Sequence, residues 1–241
     1  MASFEELYHI TESVLESRTN PHDFWKGIYS LLLWYEHGVP HIIDANDLRK
    51  PSWRKKAKRV EQALAEAFNC QPVQVKSKVD RLLRHQRFRG QQRQNPLGTG
   101  FSASLVYYLR QTSDPTFEFI PEAVVGKQVF LKVTSPPRQR VDIAVKHRGR
   151  EFAIISAKWS IRHDRMKDWL DKCDFYKTRA SLPYYFVVTN EYGPARLKKV
   201  LDSPCKSGFF HVNRNLVLEV HGGNGRLEGL EDLTALFTHF Q

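Results

Sequence analysis

Three cysteines, Cys70, Cys173 and Cys205, make up the whole sulfhydryl content of the chain, and they lie far apart with no C-x-x-C or Cys/His spacing. An odd count without a framework excludes a zinc site and a disulfide scaffold, and it is expected of a protein kept in a reducing cytosol. No apolar run has the length that a bilayer demands; the longest candidate, "IYSLLLWYEHGV", is short and broken by charge. The opening "MASFEELYHITESVLESR" is acidic and amphipathic, which a signal peptide is not. There is no internal repeat and no low-complexity tail. The ten histidines show no ligand spacing, so they read as structural or surface residues. "GNGRLEGLED" has glycines but lies outside a strand–loop–helix phosphate cradle. No Ser or Cys constellation points to a covalent nucleophile.

Positive charge is what the chain has in excess. Thirty-seven Lys and Arg stand against 26 Asp and Glu, a net charge of +11, with a pI near 9.6. A hydrophobic share of 41% over 241 residues is enough for a packed core, in one large domain or one domain with an appended subdomain. A protein this basic is expected to face a polyanion, most often nucleic acid. Charge for solubility alone is the bland alternative.

The first part of the chain, residues 1–115, is expected to be mainly helical and part of the same domain as the rest. Ser3 is placed to cap "FEELYHITESVLES", with Glu6 in the capping-box position. "PHDFWKGIYSLLLWYEHG" opens after a proline and stops at Gly38. "PSWRKKAKRVEQALAEAFN" carries an apolar stripe of Ala57, Val60, Leu64 and Phe68. "VKSKVDRLLRHQRFRGQQRQNPLGTG" begins as a basic helix and is expected to end as a loop, before a further helix in "FSASLVYYLRQ". From residue 116 the period changes to that of an α/β core. Strands are predicted in "EFIPEAVVGKQVFLKV", "RVDIAVKH", "REFAIISAK", "YYFVVTN", "GFFHV" and "LVLEVH", and helices in "DRMKDWLDKCDFYKTRA", "GPARLKKVLDS" and "LEDLTALFTHF". The expected fold class is α/β, a mixed central sheet flanked by helices.

"RVDIAVKH" and "REFAIISAK" meet at a short turn around Gly149, so the strand tips far from that turn come together. Those tips carry Asp142 and Lys158. Ser156 and Lys158 share a strand face because side chains alternate, and that face is the one expected to meet Asp142. A carboxylate beside a lysine at a sheet edge, in a basic protein, suits metal-assisted phosphodiester hydrolysis. An ordinary surface ion pair is the alternative. After Lys158 the chain runs W-S-I-R-H-D-R, crowding Arg162, Asp164 and Arg165 at a strand-to-helix junction. Arginine pairs with guanine O6 and N7, and aspartate accepts from the cytosine amino group, so this cluster is suited to reading G·C pairs. Asp164 is also placed to cap the following helix.

The string "VD…SAKWSIRHDR" resembles the PD-(D/E)XK nuclease motif, in the variant used by restriction endonucleases that recognise a central CCGG. That group has S-x-K in place of E-x-K, followed by R-x-D-R at the offsets present here. The resemblance covers residues 141–165 firmly and the surrounding sheet and helices more loosely. It implies a restriction-endonuclease-like fold and a type II enzyme that cuts a palindromic duplex with Mg²⁺ and leaves 5′ overhangs. It also implies two copies acting together on DNA and a bacterial or archaeal cytoplasm with a companion methyltransferase. Asp142 would hold the metal, Lys158 would be the catalytic lysine, and Ser156 would stand where the acidic residue is missing. Arg162, Asp164 and Arg165 would read the central bases. The family's displaced Glu, about four turns beyond the lysine, is Lys172 here. Its neighbour Asp171 lies on the same helical face as Asp164 and is the expected second carboxylate. The family's early-helix Glu would be Glu61, with Glu66 as the other choice. "WRKKAKR" and the Arg/Gln-rich 81–95 segment are expected to touch phosphates or base edges, or else to be solvated. A repair or junction-resolving nuclease on the same core, or a catalytically weak sequence-specific DNA-binding protein, is the alternative function.

Overall fold

The computed structural model describes residues 58, 61–62, 64–66, 68–85, 94–123, 141–161, 182–203, 207–221 and 227–238. The chain divides into two units, Met1–Gln111 and Thr112–Gln241. The two helices expected before residue 40, the strand in "QVFLKV" and the helix "DRMKDWLDKCDFYKTRA" lie outside the described residues.

In the first unit the segment around Leu64 and Ala65 is helical and buries both side chains. It ends where its sequence says it should. Asn69 adopts a left-handed φ of 46°, and Cys70 N–H donates to Ala65 O at 3.0 Å while Asn69 N–H donates to Glu66 O at 3.2 Å. Those two bonds satisfy carbonyls that a helix end leaves over. Helix α1, Pro72–His85, follows. Helix α2, Gln94–Thr112, corrects the loop expected through "QNPLGTG". Pro96 falls in its first turn, where a missing N–H removes no helical bond. The Gly-poor remainder, with Phe101, Ala103, Leu105, Val106, Tyr108 and Leu109 all buried, is a core helix rather than an amphipathic one.

The second unit is a six-stranded mixed sheet in the order β1-β2-β3-β4-β5-β6. Its strands are β1 Phe117–Pro121, β2 Ile143–His147, β3 Arg150–Lys158, β4 Tyr184–Thr189, β5 Gly208–His211 and β6 Glu228–Gly229. The first three are antiparallel and β3 to β6 are parallel. The β2–β3 hairpin closes through Arg148 (φ 49°) and Gly149 (φ 77°). Two successive positive φ values make a type I′ turn, whose twist matches the strands it joins. Asp114 sets the entry to β1: its Oδ1 accepts the Thr116 N–H at 2.8 Å and the Thr116 hydroxyl at 2.6 Å. The hydroxyl bond first, and the backbone bond second, hold this carboxyl below its ordinary range. A depressed folded value means that the ionised form adds stability above the unfolded carboxylate range, and that this is lost as pH falls through the folded value. Asp114→Asn is thus expected to lower stability slightly at neutral pH and not at all in strong acid. Urea unfolding at both pH values checks this.

Alternation divides the sheet into two covered faces. One carries Phe117, Phe119, Phe152, Phe186 and Phe210, and receives Phe237 of the last helix, α5 Leu230–Thr238. The other carries Ile154, Tyr185, Val187 and Phe209, and packs Leu197 and Val200 of α3 (Pro194–Leu201) with Val217 of α4 (Arg214–His221). The observed α4 corrects the strand expected in "LVLEVH". Because β5 and β6 are parallel, the chain between them must cross back along the sheet, and a helix is the usual means. That requirement overrides the strand-like run of Leu216, Val217, Leu218 and Val220. The mixed α/β class stands as expected. Among the described residues, no helix is long and apolar enough to cross a membrane.

Candidate active site

Asp142 stands one residue before β2, and Lys158 is the last residue of β3. Counting outward from the turn, a regular hairpin would set Asp142 opposite Ile155 and send its carboxylate to the sheet face away from Lys158. The strands do not pair regularly. His147 pairs with Arg150 and Lys146 with Glu151, but Val145 pairs with Ala153, so Phe152 is an extra, unpaired residue. This bulge moves the register by one: Ile143 faces Ile155, and the next position brings Asp142 opposite Ser156. A one-residue slip exchanges the faces of every side chain beyond it. The bulge therefore puts Asp142, Ser156 and Lys158 on one face.

Three donors then meet on one oxygen. Asp142 Oδ2 accepts the Lys158 ammonium at 2.7 Å, the Ala157 N–H at 3.0 Å and, more weakly, the Ser156 hydroxyl at 3.3 Å. Ser156 is buried, while the Lys158 and Asp142 side chains are 37% and 33% exposed. An ion pair that open to water adds only about 0–1 kcal/mol, so fold stability does not account for it. None of these donors engages Oδ1. A carboxylate oxygen at a water-accessible edge, beside a cation able to neutralise a phosphate, suits a hard divalent ion that is held by one or two carboxylates, water and substrate oxygens. No cluster of three or more His, Cys, Asp or Glu occurs among the described residues; Asp142 is the carboxylate at this edge that could take part in holding such an ion.

The site lies at the carboxyl ends of parallel strands, where open α/β sheets bind their ligands. Lys158 of β3, Thr189 of β4 and His211 of β5 occupy one register row across that edge. Thr189 and His211 are fully buried, and Glu191 is 3% exposed. The Glu191 carboxylate is matched by three donors: Ile161 N–H at 2.9 Å, Gly193 N–H at 2.6 Å and Arg196 at 2.9 Å. A Cβ at Gly193 would meet Arg196 Nε at 2.8 Å and Glu191 Oε1 at 3.0 Å, so a side chain here would have to shift the Arg196 guanidinium. Asn213 N–H donates to His211 Nδ1, and His211 Nε2 lies 2.9 Å from Glu191 O. With Nδ1 accepting, the ring proton sits on Nε2 and donates to that carbonyl.

No family model and no curated protein sequence matches this chain. Three solved structures are similar to it. One is a restriction endonuclease PspGI–substrate DNA complex, at 11% identity and TM-score 0.46 over 96% of this chain and 90% of the other. A second is metal-depleted Ecl18kI in complex with uncleaved, modified DNA, at 12% identity and TM-score 0.41 over 98% and 83% of the two chains. The third is metal-depleted Ecl18kI with uncleaved DNA, again at 12% and 0.41, over 97% and 83%.

Of the residues singled out in the sequence, Asp142, Ser156 and Lys158 come together. Glu61 belongs to the first unit, where it is half-buried on helical backbone; Glu66 is exposed and accepts from Gln62. Arg162, Asp164, Arg165, Asp171 and Lys172 lie outside the described residues, as do the side chains of 81–95. Sequence reasoning passed over Thr189 and Glu191. Their signal was the polar "TNE" that ends the buried "YYFVV" run.

Proposed function

We propose that the protein is a type II restriction endonuclease that hydrolyses double-stranded DNA, with Mg²⁺, at a palindrome centred on CCGG and leaves 5′ overhangs. The observation that carries this reading is the convergence of Lys158, Ala157 N–H and Ser156 on Asp142 Oδ2, with the sequence R-x-D-R beginning four residues after Lys158. Asp142 holds the ion, with Asp171 as second carboxylate. When bound, the ion polarises the phosphoryl oxygen and acidifies water. Lys158 offsets charge growing on the phosphate oxygens and orients the attacking water for in-line displacement. Ser156 fills the place of a third carboxylate and steadies Asp142. Arg162 and Arg165 take guanine edges and Asp164 takes cytosine. A palindromic target requires two-fold symmetry, so two copies act together.

Plasmid digestion with Mg²⁺, followed by sequencing of the ends, tests the reading. Discrete fragments with 5′ extensions at CCGG-centred sites support it, and chelation should abolish them until Mg²⁺ is restored. Preference for branched over plain duplex would replace it with a junction-resolving nuclease. Specific binding without cutting would replace it with a DNA-binding module, the alternative that Lys172 in the family's carboxylate position keeps open. Arg162→Ala is expected to lose about 1–3 kcal/mol of base discrimination, read as the ratio of kcat/KM on CCGG-centred and singly substituted duplexes.

A further inference from the structure

The lysine at the site is only as well placed as the strand end that bears it. The Lys158 carbonyl accepts the Thr189 hydroxyl at 2.8 Å and the Asn190 N–H at 3.2 Å. Thr189 Oγ1 in turn accepts the Glu191 N–H at 3.1 Å. Glu191 then reaches across with Oε2 to hold Ile161 N–H, on the far side of the lysine. Trp159 and Ile161 are buried while Ser160 is exposed, so this exit is pinned by packing as well as by hydrogen bonds. Both ends of the Lys158–Ile161 stretch are thus tied to one "TNE" segment.

Each tie is of a kind that holds. Thr189 is fully buried and its hydroxyl is used both as donor and as acceptor, so removing it takes this acceptor from the Glu191 N–H and leaves the Lys158 carbonyl with the longer Asn190 bond. The Glu191 carboxylate sits among three donors and no competing acceptor, an environment that an amide cannot satisfy. His211 fixes the Glu191 carbonyl from the next strand. A strand end held this way fixes the backbone from which the Lys158 side chain reaches Asp142, and a misplacement of about 1 Å can lower a rate roughly a hundredfold.

We propose that Thr189 and Glu191 are positioning residues for Lys158: the buried Thr189–Glu191 relay fixes the end of β3 so that the ammonium stays on Asp142 Oδ2. The inference rests on the nuclease reading for its consequence in catalysis, but not for its geometry. The test uses the full chain carrying Thr189→Val, which keeps shape and removes the hydroxyl, and Thr189→Ser, which restores it. Glu191→Gln serves as an independent variant. Single-turnover cleavage of a CCGG-centred duplex should fall about ten- to a hundredfold in Thr189→Val, with the DNA dissociation constant unchanged. Thr189→Ser should recover most of the loss, and Glu191→Gln should behave like Thr189→Val.

A second readout is the Lys158 side-chain resonance in ¹³C,¹⁵N-lysine-labelled protein, assigned with Lys158→Ala. In wild type it should be set apart from the exposed lysines. In Thr189→Val it should move toward them, and in Thr189→Ser it should return. An unmoved lysine signal in folded Thr189→Val and Glu191→Gln proteins overturns the positioning role, whatever the enzyme cuts. A lysine signal that moves, in a wild-type protein that cleaves no DNA, keeps the positioning role and removes the nuclease reading.

Discussion

Asp142→Ala is expected to lower Mg²⁺-dependent cleavage by at least about a hundred- to a thousandfold, the scale of losing one group that stabilises transition-state charge. Lys158→Ala should do the same. The two act on one another through a 2.7 Å contact, so the double variant should be little worse than either single one, as for residues that work as a unit. Binding should run the other way. If this surface receives phosphates as proposed, removing a carboxylate from it and releasing its lysine should leave DNA affinity without metal unchanged or tighter. Thermal stability should barely change, since the pair is open to water and worth about 0–1 kcal/mol to the fold. Asp142→Asn separates charge from shape, because it keeps an oxygen for the Ala157 N–H. Wild-type cutting rates in Asp142→Ala or Lys158→Ala would end the catalytic assignment. A large drop in melting temperature would make the pair structural instead.

How the site reaches its geometry separates what can be read in a sequence from what cannot. Gly149 in "HRGR" marks a tight turn, and the alternating strands on either side mark the hairpin, so the approach of Asp142 to Lys158 was legible. The face on which they meet, that of Ser156 and Lys158, was expected too, but what secures it was not legible. Regular pairing predicts opposite faces, and the bulge at Phe152 reverses that. No local signal in "REFAI" announces the bulge. Phe152 packs with Phe117, Tyr184 and Phe237, three residues distant in sequence, and that burial is what the irregular register secures. The strand expected in "LVLEVH" went wrong for a similar reason: the parallel β5–β6 pairing decides it, and local propensity does not. Thr189 and Glu191 were overlooked because a polar triplet after a strand looks like a turn. Only the topology shows that it abuts the edge that carries Asp142 and Lys158.

The aromatic face of the same sheet supports a prediction about stability. Phe237 is fully buried, with its ring 5.2 Å from Phe117, 5.2 Å from Phe119, 6.0 Å from Phe186 and 6.4 Å from Phe152. Those partners belong to β1, β3 and β4, so one side chain on α5 ties three strands together. Its carbonyl also accepts the Asp114 N–H at 3.1 Å, fastening the last helix to the entry of β1. Phe237→Ala removes the ring and leaves a cavity among side chains already committed to other contacts. A loss of about 3–5 kcal/mol is expected, a large fraction of the 5–15 kcal/mol or so that holds a domain together. At about 2–4 °C per kcal/mol for a chain of this size, the melting temperature should fall by roughly 6–20 °C, with Phe237→Leu losing less. Asp142, Ser156 and Lys158 lie on the opposite face, so the part of the Phe237→Ala protein that stays folded in the cold should cut DNA at the wild-type rate. A variant that is folded by circular dichroism yet inactive would mean that the two faces are coupled through the sheet. A variant as stable as wild type would mean that α5 does not close the aromatic core.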